Sequence, residues 1–173
     1  MVLDTRDLPR SPGSMRPVER QVPALAHLGG DMITVPEGAD MSLTLELTSV
    51  SEGVLVSGSV VAPVTGECGR CLRPIEKTLR FRVQELFAFE DSTTDETTEE
   101  DEVGRLQGDL IDLEPTLRDA VVLALPANPL CRPDCRGLCQ ECGALWDDLP
   151  ADHSHNESDP RWAALGKLTM TEE

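Results

Sequence analysis

Three stretches of the chain alternate with period two, and no other pattern limits the fold as strongly. In Met41-Ser-Leu-Thr-Leu-Glu-Leu-Thr48, the apolar Met41, Leu43, Leu45 and Leu47 alternate with Ser42, Thr44, Glu46 and Thr48. That is the signature of a strand with one face buried and the other in water. Ser51-Glu52-Gly53 supplies a turn, and residues 54–61 return as a second strand of small residues. Residues 75–83 read as a third, with Leu79, Phe81 and Val83 on one face and Arg80 and Arg82 on the other. Three strands with short connections predict an antiparallel meander.

A helix is predicted over residues 114–125. Asp112 can cap it, Pro115 is tolerated in its first turn, and Pro126 ends the run. Leu117, Ala120, Val121, Val122, Leu123, Ala124 and Leu125 are almost continuously apolar, which predicts a helix buried against the sheet. A short final helix is expected from about Ser158-Asp159-Pro160, with Trp162, Leu165 and Leu168 on one stripe. Residues 1–40 are rich in Pro and Gly and weakly periodic, as in an arm that is weakly structured or packed on the domain. The expected fold is therefore α+β. A meander packed by a central helix occupies residues 41–126, with an acidic loop at 90–102. Residues 127–173 carry a cysteine-rich zinc knuckle and the final helix.

The net charge of −17 argues against a protein that simply coats nucleic acid, because phosphates repel it. The charge is uneven. Residues 90–102 hold eight acids and no Lys or Arg, the composition of a solvated loop. Arg70, Arg73, Lys77, Arg80 and Arg82, by contrast, stand against one acid, Glu76. That basic segment is the candidate contact surface for RNA phosphate or an acidic partner. Tyr is absent, and Phe and Trp together number five, so stacking of bases on aromatic platforms is not expected. No run approaches the ~20 apolar residues of a membrane span, and the first residues lack the apolar core of a secretory signal. The cytoplasm is the expected compartment. There, six cysteines read as metal ligands or redox groups rather than structural disulfides.

The cysteines fall in two groups, Cys68-Gly-Arg-Cys71 and Cys131-Arg-Pro-Asp-Cys135-Arg-Gly-Leu-Cys139-Gln-Glu-Cys142-Gly143. A Cys-x-x-Cys turn aims two sulfurs at one tetrahedral ion, and Gly143 permits the positive φ that such a knuckle favours. Two ligand sets fit the spacing. One is local, Cys131, Cys135, Cys139 and Cys142, four cysteines within twelve residues that can close a zinc site alone. The other joins Cys68, Cys71, Cys139 and Cys142 across the domain. His153 and His155 follow closely and could substitute for a cysteine. Arg70, Arg73, Arg132 and Arg136 sit among the cysteines, where they can offset the formal charge of about −2 of a four-thiolate zinc centre. No phosphate-binding Gly loop, nucleophile elbow or His-Glu-x-x-His helix is present. Cysteine-rich ligation points to a closed, structural ion. The chain therefore reads as a non-enzyme without a small-molecule substrate.

Several segments in order resemble the YceD family of large ribosomal RNA subunit accumulation proteins, in its high-GC Gram-positive form. They are Leu3-Asp-Thr-Arg-Asp-Leu8, Gly66-Glu-Cys-Gly-Arg-Cys-Leu-Arg-Pro74, Ile111-Asp-Leu113, Leu123-Ala-Leu-Pro126, the block from Leu130 to Gly143, and Asp159-Pro-Arg-Trp-Ala-Ala-Leu165. The resemblance implies a bacterial ribosome-biogenesis factor that supports synthesis, processing or stability of large-subunit (23S) ribosomal RNA. Its partner would be the RNA precursor or a ribosomal protein. Many members of that family place cysteines where this chain has Asp152-His-Ser-His155, which raises the two histidines as ligands. The surplus of cysteines supports a different reading, a thiol-redox sensor or chaperone whose oxidation would eject zinc and expose apolar surface.

Overall fold

The computed structural model describes residues 1–90, 92, 103–155 and 161. The three alternating segments become β5 (Asp40–Val50), β6 (Gly53–Glu67) and β7 (Pro74–Ala88), each longer than its periodic stretch. They pair antiparallel in chain order, as a meander. β5 pairs with β6 from Ser42–Val61 to Val50–Gly53, and β6 pairs with β7 over its entire length, from Gly53–Ala88 to Glu67–Pro74. Along β5 the expected alternation holds. Met41, Leu43, Leu45 and Leu47 are buried, and Ser42, Thr44 and Glu46 are exposed. On β7, Ile75, Phe81, Val83 and Phe87 face the core while Arg80, Arg82 and Gln84 face solvent.

The first forty residues are more than an arm. They supply β1 (Val2–Asp4), β2 (Met15–Pro23), β3 (Leu28–Gly29) and β4 (Ile33–Val35). β2 pairs with β5 over nine residues and forms one edge of the sheet. Pro17 and Pro23 within β2 lack an N–H, so the strand belongs at an edge, where one side needs no partner. β4 adds to β6 beyond the end of β5, at Ile33–Gly66 and Thr34–Thr65, and β3 pairs with β4. β8 (Gly104–Arg105) runs parallel to the end of β7, and β9 (Leu110–Asp112) pairs with β1 in a separate two-stranded ribbon.

Among the described residues the architecture is mostly antiparallel sheet with one helix, α1 (Glu114–Ala124). α1 touches β7 and β3 and buries Leu117 and Val121 in a core that also holds Leu3, Val56, Phe81, Ile111 and Leu113. The helix differs from expectation on its outer side. Val122 is 41% and Leu123 85% exposed, so the apolar run wraps round the helix beyond the stripe that the sheet covers. The residue before the helix is Leu113, and it offers no side-chain cap. Asp112, one position earlier, accepts the Glu114 N–H at 3.1 Å. That bond, foremost, holds the Asp112 carboxyl below its ordinary range. The acidic run at 90–102 and the final helix with Trp162, Leu165 and Leu168 lie, apart from Glu90 and Ser92, outside the described residues.

Two outcomes are expected from this core. Val121→Ala should destabilise by about 1–3 kcal/mol through loss of packing, whereas Leu123→Ser should stay within about 0.5 kcal/mol, both read from denaturant midpoints. A lowered carboxyl pKa adds stability that is complete above the unfolded value and fades as pH falls through the folded one. The stability difference between wild type and Asp112→Asn should therefore be full near neutrality and shrink on acidification below the ordinary carboxylate range.

Candidate metal centres

β6 and β7 are each 15 residues long, a ribbon of about 50 Å when extended. Its turn, residues 68–73, projects past the main core and carries the first cysteine pair. The chain returns to this turn after α1. Gly69 N–H donates to Pro129 O at 2.8 Å, and the Lys77 ammonium donates to the carbonyls of Leu130 and Cys131 at 3.0 and 3.1 Å. Arg70 Nη1 donates to Cys135 O at 2.8 Å. These contacts lay Cys131 and Cys135 beside Cys68 and Cys71.

The six cysteines therefore divide differently from both sets read in the spacing. Cys68, Cys71, Cys131 and Cys135 form one group, and Cys139, Cys142, His153 and His155 form another, the donor atoms of each lying within 4.8 Å of one another. Sequence reading had grouped Cys139 and Cys142 with cysteines in both alternatives. The long-range set has the right first pair, but the ribbon turn meets Cys131 and Cys135, and not Cys139 and Cys142. In the first group, Cys68 Sγ lies 3.8 Å from Cys135 Sγ, and Cys71 Sγ lies 3.6 Å from Cys131 Sγ. A tetrahedral zinc with bonds of about 2.3 Å separates its sulfurs by about 3.8 Å. The donor set and its spacing both fit such an ion.

The two Cys-x-x-Cys turns close alike. Cys68 N–H donates to Arg73 O and Leu72 N–H to Cys68 O, both at 2.9 Å. Cys139 N–H donates to Ala144 O and Gly143 N–H to Cys139 O, both at 2.8 Å. The residue after the second cysteine has positive φ in each, Leu72 at 59° and Gly143 at 71°. Gly137, at φ 81°, lies where a Cβ would come within 2.9 Å of Arg70 O, so it allows the second cysteine segment to approach the first turn.

The electrostatics prepare these sulfurs as anions unevenly. Burial opposes a charge on Cys68, but the backbone N–H groups of Cys131, Arg70 and Cys71 outweigh it and bring the thiol down to about 6. Burial pushes Cys135 up to about 12 and raises Cys131 as well. In the second group the Cys142 N–H and then the His153 ring bring Cys139 down to about 6. Without a cation, four thiols so close cannot all ionise, and a divalent ion removes that conflict. Cys68, Cys71 and Cys135 pack with Ile75 and against Leu130, Cys131 and Leu145, a small cluster separate from the main core.

The expected basic contact surface is split. Arg70 and Lys77 are committed to carbonyls of the cysteine segment, and Arg80 Nη1 donates to Ser59 Oγ on the outer face of the sheet. The side chains of Arg82 and Arg73 are exposed and make no hydrogen bond or ion pair with other described residues.

A family model described as large ribosomal RNA subunit accumulation protein YceD matches residues 56–169, from β6 through both cysteine groups. The chain belongs to the YceD family. An uncharacterized protein of Mycobacterium tuberculosis is 50% identical over 168 residues, 97% of this chain and 81% of its own length. One of Mycobacterium leprae is 43% identical over 165 residues, 95% of this chain and 76% of its own. YlbN of Bacillus subtilis is 29% identical over 120 residues, 69% of this chain and 66% of its own. No solved structure matches. The YceD match includes the ribbon turn and the cysteine block, which carry the first donor group.

Leu72 holds a left-handed conformation that costs a side-chain-bearing residue about 1–2 kcal/mol. Leu72→Gly should therefore leave the metal content of the purified chain unchanged and raise the thermal midpoint. Gly143→Leu, the converse change in the other turn, should lower it.

Proposed function

We propose that this chain is a non-catalytic cytoplasmic factor that supports accumulation of large-subunit ribosomal RNA, with a structural zinc held by Cys68, Cys71, Cys131 and Cys135. The observation that carries the role is the family match over residues 56–169. The metal reading rests on the sulfur spacing and on the chemistry of the donor set. Four thiolates complete a tetrahedron and leave no coordination position for a substrate or an activated water, as in structural zinc sites. The ion joins the ribbon turn to the chain after α1, where a small apolar cluster alone would hold two loop segments weakly.

The proposed partner is the RNA precursor or a ribosomal protein, met through the outer face of the sheet. Arg80 and Arg82 stand there among Ser57, Ser59 and Thr44, small side chains that let a bulky partner approach. The redox-chaperone reading is less well supported. It requires release of a large apolar surface, and the apolar residues packed on the first centre are Ile75, Leu130 and Leu145.

Deletion of the gene in the source bacterium should lower the ratio of large- to small-subunit ribosomal RNA and the amount of mature large subunits on sucrose gradients. The wild-type gene should restore both. Arg80→Glu/Arg82→Glu should restore less while remaining folded and zinc-loaded. Unchanged ribosome profiles in the deletion strain would sink the role, whatever the metal content.

A further inference from the structure

The second donor group plays no part in the role just proposed. Cys139 and Cys142 come from a knuckle whose backbone closure repeats that of Cys68 and Cys71, down to both hydrogen bonds and the positive φ. A turn of that form presents two sulfurs to one ion, and here two imidazoles meet them. Cys139 Sγ lies 3.3 Å from His155 Nε2, and Cys142 Sγ lies 3.7 Å from His153 Nε2. A tetrahedral zinc separates a thiolate sulfur from an imidazole nitrogen by about 3.6 Å. The two rings stand nearly perpendicular, at 87° with centroids 4.5 Å apart, so they converge on the sulfurs from different directions rather than stacking. His153 N–H donates to Pro150 O in a turn, and its ring meets the Trp146 ring edge-on at 5.5 Å.

The charges nearby divide accordingly. A four-thiolate zinc carries about −2, and the Arg70 and Lys77 side chains are bonded to carbonyls of the segment that holds it. Two thiolates and two neutral imidazoles give a neutral zinc centre that needs no such cations. Arg136, which borders this group, lies over the Trp146 ring at 5.2 Å. Exposure differs as well. Three of the four cysteines in the first group are buried, whereas Cys142 and His155 are exposed.

We propose that Cys139, Cys142, His153 and His155 form a zinc site of their own, distinct from the four-cysteine centre and more open to exchange. The probe is zinc itself, measured on the full chain purified without chelator. Wild type should carry two zinc ions, and His153→Asn/His155→Asn should carry one while keeping its sheet spectrum. Excess pyridylazoresorcinol should withdraw one equivalent rapidly from wild type and the second slowly, and the histidine variant should lose only the rapid phase. After cobalt substitution, wild type minus the variant should give the absorption of a site with two sulfurs and two nitrogens. The same spectra expose a misfolded variant, because it would also lose the four-sulfur bands. Two zinc ions in the histidine variant would overturn the proposal. So would one zinc in both proteins, with a four-sulfur cobalt spectrum. A single wild-type ion lost in the histidine variant would instead sustain this site and overturn the four-cysteine centre.

Discussion

The pairing of β6 with β7 is the constraint on which the rest of the molecule depends. Fifteen residue pairs in unbroken antiparallel register fix the inner face that α1, β1 and β9 cover, and they carry the same ribbon beyond that core to its turn. At the tip only a small apolar cluster around Ile75, Leu130 and Leu145 packs on the ribbon. The sulfur cluster lies there, and an ion held by it would fix loop backbone that is otherwise costly to order, without needing a large buried area. The contacts from Gly69, Arg70 and Lys77 to the later segment show the same need met with backbone carbonyls. Apolar burial therefore governs one end of the ribbon, and the sulfur cluster with its hydrogen-bonded carbonyls occupies the other.

Strand order, pairing and the inward faces were legible in the sequence because a half-buried strand writes its environment at every second residue. Met41 through Leu47 and Phe81 with Val83 needed no further information. The strands before residue 40 were hidden for definable reasons. β1, β3 and β4 are two or three residues long, too short to show a period, and β2 is interrupted by Pro17 and Pro23. The helix was placed correctly but read as too deeply buried. An apolar run says that side chains prefer to leave water, and Leu123 shows that geometry did not oblige.

The cysteines give the sharper lesson about what spacing can decide. Four of them within twelve residues made a local site look sufficient, yet Cys131 and Cys135 turn back to the ribbon and Cys139 and Cys142 turn to His153 and His155. A usable signal was present. The glycine after Cys142 marks a complete knuckle, and Cys131-x-x-x-Cys135 lacks that form, so the two pairs within the block were never equivalent. The two histidines, one residue apart and eleven and thirteen positions beyond Cys142, could then have been read as the partners that a complete knuckle still needs.

Charge bears on such a split in a chain of net −17. Six cysteines can complete one four-thiolate set but not two, so the second group must draw on other donors. With zinc bound, the four-cysteine set would carry about −2 and the set of two cysteines and two histidines about zero, and Arg70 and Lys77 are bonded to carbonyls of the segment that completes the first. The same distribution bears on recognition. Within residues 70–82 those two cations are used locally, which leaves Arg73, Arg80 and Arg82 for a contact with phosphate or an acidic surface. Arg80 and Arg82 project from the sheet face opposite the core, at the middle of the ribbon. Glu90, where the acidic run begins, lies just past the end of β7 farthest from the cysteine turn. A partner drawn to Arg80 and Arg82 would thus meet a strand rather than a loop, with the sequence's densest acids following its far end.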